Sequence, residues 1–317
     1  MRLATIDIGT NTTLLLVAEV AKRDDGDGTV RVLAERAEIT RLGRGIGADG
    51  GLGRPGMERT LAVLADYAAV ARAHGATIHA IGTEGLRRAT NARDFLEPAA
   101  KILGGPVEVI DGDREATLTF LAAERSFPSQ TQGTTVVIDI GGGSTEIIVA
   151  RAGRMEFRRS LPMGSVRLTE KHVRSDPAGA IEIAAVTDEI AQHLMNVPFP
   201  AGAITLIGTA GTVTTLAAMS LGLTNYDPAR VHGHCLTQVA LEQQLQRLRS
   251  STQAERETMA GLDPKRADVI LAGACILATI AQTAQANEIL VSDRGIRWGL
   301  LFENALRPKG STDSLRP

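Results

Sequence analysis

Asp139 and Glu146 bracket three consecutive glycines in the stretch TVVIDIGGGSTEIIVA, residues 135–150. If the apolar segments on either side pair antiparallel across that turn, the two carboxylates converge, and unpaired they repel. A hard divalent cation removes the penalty. Mg²⁺, with Mn²⁺ as a substitute, takes one or two carboxylates together with waters and phosphate oxygens. Between the acids, Gly142, Gly143 and Ser144 can aim backbone N–H groups at one anion. The plainer alternative is that Glu146 is a solvated strand residue.

The same frame occurs near the N-terminus. ATIDIGTNTTLLLVAEV at 4–20 aligns with VVIDIGGGSTEIIVARA at 136–152, with Thr10, Asn11 and Thr12 at the turn and Leu14 at the position of Glu146. The fold therefore does not require an acid there. A second matched pair, AIGTEGLRR at 80–88 and LIGTAGTVT at 206–214, puts I-G-T-x-G after a strand in each half. Residues 82–85, and Gly208, Ala210, Gly211 and Thr212, thus lie between strand and helix, where a helix N-terminus favours an anion. Duplicated turns of this kind predict a phosphate-cradling site.

The elements that would position these turns fall into two similar runs. Strands are expected near 3–8, 13–20 and 29–40, then a helix near 57–74, a strand at 76–81, a helix at 91–103, a strand at 106–110 and a helix from about 113. The second run has strands near 134–139, 145–151 and 155–161, a helix from Asp176-Pro177 to about 196 with proline at its first position, a strand at 203–207 and a helix from Gly211. Hairpins feeding alternating helices and strands indicate an α/β architecture. The expected lobes are 1–120, joined by a C-terminal helix at 303–317, and 121–302 with a helical insertion near 222–286. In that insertion Thr237 can cap a helix bearing Leu241, Leu245 and Leu248, TQAE at 252–255 reads as a capping box, and Asp263-Pro264 opens a largely buried helix. The segments 22–28 and 43–56 read as loops, and the tail beyond about 307 as frayed.

Composition sets the outer limits. Of 317 residues, 44% are hydrophobic and 22% charged, as in an ordinary globular protein. No apolar run approaches the roughly 18 residues of a membrane span, and no secretory pattern opens the chain. Two cysteines, Cys235 and Cys275, make no disulfide framework, so the expected location is the cytoplasm. A net charge of −2 argues against a general nucleic-acid binder. Lysine occurs only at positions 22, 101, 171, 265 and 309, so arginine supplies nearly all the basic charge. Arginine forks suit phosphate, and a GC-rich genome gives the same bias.

DIGTNT, DIGGGSTE and GTAGT resemble the paired phosphate motifs of the actin, sugar-kinase and heat-shock-ATPase superfamily. With GDREATLTF at 112–120, GTEGLRRA at 82–89, VHGHCL at 231–236 and SDRGIRWGLL at 292–301, the chain resembles the exopolyphosphatase/guanosine pentaphosphate phosphatase family from residue 3 to about 303. The resemblance implies two actin-like, ribonuclease H-like domains related by duplication, with a cleft where water attacks a terminal phosphoryl group. It implies Glu115 as the residue that activates or orients the water, Arg87 as a phosphate contact, Asp139 and Glu146 as metal-associated acids, and Asp7 facing the cleft from the other half. It also suggests a homodimer. Read alone, Glu115 is equally a first-turn acid favoured by the helix dipole. Longer relatives often read G-x-E-E-A, so Arg114 replaces an acid and its role is open. They also carry a helical C-terminal domain with no counterpart in this sequence.

The leading expectation is an Mg²⁺-dependent exophosphatase for inorganic polyphosphate, with short chains favoured. Hydrolysis of the 5′-phosphate of guanosine pentaphosphate stands as the alternative, as does a non-catalytic alarmone sensor in the stringent response. An ATP-dependent kinase is disfavoured, and no nucleic-acid or membrane partner is expected. His232, His234 and Cys235 lack a second ligand pair with zinc spacing, and Cys275 reads as core. Asn11-Thr12-Thr13 matches a glycosylation acceptor without a secretory context. Ser292-Asp293 is either a helix cap or part of the cleft.

Overall fold

The computed structural model describes residues 1–22, 28–46 and 50–306. Parts of both expected loops and the tail beyond 306 lie outside the described residues. The first run of elements is β1 (Arg2–Ile8), β2 (Thr12–Lys22), β3 (Gly28–Ile39), α1 (Arg54–Ala73), β4 (Thr77–Gly82), α2 (Glu84–Arg88), α3 (Ala92–Leu103), β5 (Val107–Val109) and α4 (Gly112–Ser126). The second is β6 (Thr134–Ile140), β7 (Thr145–Arg151), β8 (Arg154–Leu161), α5 (Ser165–His172), α6 (Ala180–Leu194), β9 (Thr205–Thr209) and α7 (Ala210–Ser220). It continues through α8 (Pro228–Val231), β10 (Cys235–Thr237), α9 (Gln238–Ser250), α10 (Gln253–Arg256), α11 (Ile270–Thr283), β11 (Glu288–Val291) and α12 (Ile296–Leu306).

Two mixed sheets result, ordered β3-β2-β1-β4-β5 and β10-β11-β9-β6-β7-β8. Each has an antiparallel three-strand meander followed by strands parallel to its first. The two runs thus repeat one α/β frame, the duplication that the resemblance implies, with β10 added antiparallel at the edge of the second sheet. β1 and β6 are buried along nearly their whole length, whereas β8 alternates toward solvent, the periodicity of an edge strand with one wet face. No helix among the described residues is long and apolar enough to cross a membrane.

The last helix of each run packs on the other run's sheet. Ala116, Phe120, Ala123 and Phe127 cover Val137, Ile148, Ala150 and Ile207. Trp298, Leu301, Phe302 and Ala305 cover Leu3, Leu16, Ala18 and Val20. α4 and α12 meet at Gly299, where any Cβ would overlap the Leu118 carbonyl. The first turn of α4 is thereby fixed between the two sheets.

Several local expectations hold. Thr237 Oγ1 accepts from Ala240 N at 3.2 Å, and Thr252 and Glu255 form the capping box. Leu241, Leu245, Leu248 and Cys275 are buried. Others are corrected. The Asp176-Pro177 bond is cis, and α6 starts at Ala180 instead, with Glu182 accepting from Gly179 N at 2.9 Å. Asp263-Pro264 opens a 3₁₀ turn, Pro264–Arg266, and the buried helix begins only at Ile270. Helix α5, just after the second hairpin, has no counterpart in the expected elements.

Candidate active site

Each hairpin turn is pinned by its carbonyls. In the first, Thr10 O accepts from Gly43 N at 2.8 Å and Asn11 O from Arg41 N at 2.9 Å. In the second, Gly141 O accepts from Ser165 N at 3.0 Å and Gly142 O from Val166 N at 2.9 Å, while Gly143 O takes Arg167 Nε at 2.8 Å. A trans peptide points its N–H opposite its C=O. With the carbonyls so held, the N–H groups of Asn11 and Thr12, and of Gly142, Gly143 and Ser144, point the other way, which is the geometry of an anion nest. Gly164 makes the second arrangement possible, because a Cβ there would overlap the Gly142 carbonyl.

The two turns meet. A Cβ on Gly142 would lie 3.1 Å from Asn11 Cβ, and one on Gly143 would overlap the Glu84 carboxylate. Thr10 and Asn11 thus project into room that glycine leaves in the opposite turn. The downstream loops differ from that pattern. Gly208 packs on Val213 and Ile289, and Gly211 is covered by the Arg266 guanidinium, which also donates to Thr12 Oγ1 at 3.1 Å. Thr212 is buried, and a Cβ on Gly273 would lie 2.6 Å from its methyl group. Ala210 opens α7 at φ 69°, a left-handed conformation that costs a non-glycine residue of order 1–3 kcal/mol.

The acids converge on the second hairpin. Asp139 stands directly opposite Glu146, and Glu146 opposite Ser160. All the candidate acids are nearly inaccessible: Glu146 1% exposed, Glu115 2%, Asp139 5% and Asp7 8%. Ser160 Oγ donates to Glu146 at 2.6 Å, and Thr119 Oγ1 to Asp139 at 3.3 Å. Glu115 reaches this group because Gly112 lets α4 touch β8: a Cβ there would overlap Ser160. Asp111 caps the helix, accepting from Arg114 N at 2.7 Å. Arg87, at the end of α2, donates to Ile110 O at 2.6 Å and forms an ion pair with Glu115.

Burial raises the pKa of every one of these carboxyls. Asp7 is pushed up to about 7 by burial and the Asp139 charge, with Arg297 opposing. Glu146 is raised by burial and by Asp139. Glu115 is raised by burial and by Glu146, against the pull of Arg87. Asp139 is raised by burial, against its hydrogen bond from Thr119. Asp7 Oδ1 and Asn11 Nδ2 are buried without a hydrogen-bond partner among the described residues. Among those residues no three His, Cys, Asp or Glu side chains form a ready-made metal cage. The facing carboxylates of Asp139 and Glu146 are all-oxygen donors of the kind that could hold one hard cation together with waters and phosphate.

A groove of about 560 Å³ opens beside this group. Arg87 and Arg88 line it from the first run of elements, and Arg158, Arg159 and Arg167 from the second. The arginines on β8 and the roles of Glu84, Ser160 and Arg266 escape sequence reasoning. The one signal in the sequence that could have found them is the alternation of Arg158 and Ser160 along one strand, which puts both on a shared face.

His232 stacks on Phe127 with ring centroids 4.8 Å apart and accepts from Asp293 N at 3.3 Å, so it packs and bonds within the fold. Ser292 closes a turn, accepting from Arg294 N at 3.1 Å. Asp293 pairs with Tyr226 and Arg297.

Two duplicated lobes whose hairpin turns meet beside an arginine-lined groove, with a group of buried carboxylates at the second turn, make up the candidate site. The Ppx/GppA phosphatase family model matches residues 19–308. Exopolyphosphatase 2 of Mycobacterium tuberculosis is 34% identical over 318 residues, covering 96% of this chain and 98% of its own. The crystal structure of the Ppx/GppA family member of Aquifex aeolicus superimposes with a TM-score of 0.82 at 32% identity, over 98% of this chain and 99% of that one. An exopolyphosphatase from Cytophaga hutchinsonii gives 0.86 at 27% identity, over 96% and 98%. The chain belongs to the Ppx/GppA phosphatase family.

Proposed function

We propose that this protein removes the terminal phosphate of inorganic polyphosphate by hydrolysis of the phosphoanhydride, with Mg²⁺ as cofactor. The observation that carries the reading is the placement of buried Glu115, held by Arg87, against Asp139 and Glu146 at the edge of the arginine-lined groove. A groove lined by five arginines matches a chain of phosphates better than a single phosphate or a sugar hydroxyl. The homologues named exopolyphosphatase support the same substrate class.

Phosphoryl transfer asks for positioning and charge neutralisation. Backbone N–H groups of Asn11, Thr12, Gly142, Gly143 and Ser144 receive the terminal phosphate. Arg87 holds Glu115 and the phosphoryl oxygens together. Glu115 accepts a proton from water as its oxygen bonds to phosphorus and the bridging P–O bond breaks. One or two of Asp139, Glu146 and Asp7 would hold Mg²⁺, which when bound would offset charge on the phosphoryl group and return the neighbouring carboxyls toward their ionised forms.

Phosphate release from tripolyphosphate, longer chains and guanosine pentaphosphate, with Mg²⁺ and with EDTA, tests the reading. Wild type is expected to release phosphate from polyphosphate only with Mg²⁺. Glu115→Gln should lower turnover by roughly 10²–10⁴, the span of general acid–base catalysis, and leave binding within a few-fold. Release from guanosine pentaphosphate alone, or binding of both ligands without release, would replace the reading by phosphohydrolase or sensor.

A further inference from the structure

Glu84 has no place in that reaction, yet it is 5% exposed and sits where the two turns meet. Its Oε2 accepts from Thr10 Oγ1 at 3.2 Å and lies where a Cβ on Gly143 would be. Its Oε1 accepts from Arg88 Nη1 at 3.1 Å and pairs with Arg167 Nη2. One carboxylate therefore takes a hydroxyl and an arginine from the first lobe and an arginine from the second, and it lies against the second lobe's glycine turn. That is the set of donors an oxyanion would attract. The frame does not need an acid here: in the matched I-G-T-x-G segment of the second half the position is Ala210.

We propose that Glu84 is a built-in competitor for the phosphate cradle, a residue that sets specificity for polyanions over single phosphate. A carboxylate already fills the junction, so an incoming anion must outbid one negative charge for Arg88 and Arg167. A chain of linked phosphates brings several charges and reaches the other groove arginines at once. Orthophosphate, the product, brings at most two and spans one position. Glu84 thereby lets substrate in and turns product out. The inference rests on reading the two turns as a phosphate cradle.

The test is calorimetric binding of tripolyphosphate and of orthophosphate with Mg²⁺ present, on a Glu115→Gln background so that nothing is consumed. Glu84→Gln keeps the shape and removes the charge. Glu84→Ala installs the residue of the second half and serves if the amide is not accommodated. Both are expected to bind orthophosphate at least tenfold more tightly and to narrow the preference for tripolyphosphate, while Glu84→Asp stays within about threefold of the parent. Equal or weaker orthophosphate binding in both neutral variants overturns the competitor and makes Glu84 an interlobe strut. If the parent binds tripolyphosphate and Glu115-intact enzyme hydrolyses it, that outcome leaves the exophosphatase reading standing. If no variant binds either anion, the cradle itself falls and the competitor with it.

Discussion

The hairpins β1–β2 and β6–β7 share one backbone and differ in almost everything that touches it. Asp7 opposes Leu14 in the first, and Asp139 opposes Glu146 in the second, at the same register. Each turn closes with one bond, Gly9 N to Thr12 O and Gly141 N to Ser144 O, both at 3.0 Å. Beyond that glycine the first carries Thr10-Asn11 and the second Gly142-Gly143. The reason is steric: the turns dock face to face, so only one can bear side chains. Duplication supplies two equal frames, and docking them against each other makes them unequal. The half with bare glycines then collects the acid pair, while the half with side chains supplies the polar tips that reach across.

The largest expected effect comes from erasing the difference. Glu146→Leu gives the second hairpin the residue of the first. Phosphate release from tripolyphosphate should fall by about 10²–10⁴, the range seen when a group stabilising the transition state is removed. The fold should persist, because replacing a buried charge by an apolar side chain of similar volume is often neutral or stabilising. Loss of the acceptor for Ser160 Oγ offsets part of that gain. A melting temperature near that of wild type with lost turnover separates chemistry from architecture. Turnover within threefold of wild type would remove Glu146 from the site.

Much of this comparison was legible in one dimension. The two I-D-I-G frames, the hairpin turns, the caps at Thr237 and Thr252 and the buried leucines of α9 all follow from local spacing, and local hydrogen bonds realise them. Glu115 and Arg87 come from the family resemblance and Asp139 and Glu146 from the hairpin spacing, and the fold places them near one another. What could not be read is what depends on approach between distant segments. Gly112 against Ser160, Gly299 against Leu118 and Gly211 beneath Arg266 are contacts whose partners lie tens to hundreds of residues apart. Glu84 is the x of the I-G-T-x-G pattern, and nothing local to that motif shows that its carboxylate spans both lobes. The β8 arginines carry no local signal of the groove, because a period of two says which face a side chain takes, never what lies opposite.

A smaller effect sharpens the comparison through pH. The acids of the second hairpin and Asp7 have raised folded-state pKa values. A carboxyl that holds its proton more tightly when folded favours folding at low pH, and that contribution is lost as pH rises through the folded value. For Asp7 the window runs from about 4, its ordinary value, to about 7. The loss from this one group is at most on the order of 4 kcal/mol. Metal-free protein is therefore expected to melt at lower temperature at pH 8 than at pH 5, and Mg²⁺ to raise the melting temperature more at pH 8. Glu146→Leu should flatten both trends. A metal-free melting temperature that climbs from pH 5 to 8 would contradict the burial of these groups.

The smallest effect concerns the helices that exchange lobes. Arg114 forms a two-pronged pair with Glu303, Nη1 to Oε1 at 2.6 Å and Nη2 to Oε2, joining the first turn of α4 to α12. It stands beside Glu115, and the pair fixes the approach of the helix that carries that carboxylate. Arg114 is about a quarter exposed and Glu303 largely buried, so the pair is partly screened and worth about 1–2 kcal/mol at most. Arg114→Gln should lower stability by that amount in urea and cut kcat a few-fold while leaving KM unchanged. In the proposed mechanism a shifted helix disturbs the orientation of water, whereas the turns hold substrate. Exchanging the partners, Arg114→Glu with Glu303→Arg, should recover part of both losses if the bond itself positions α4. If the single variant changes KM alone, Arg114 belongs to the groove, and the link between helices does not set the geometry of Glu115.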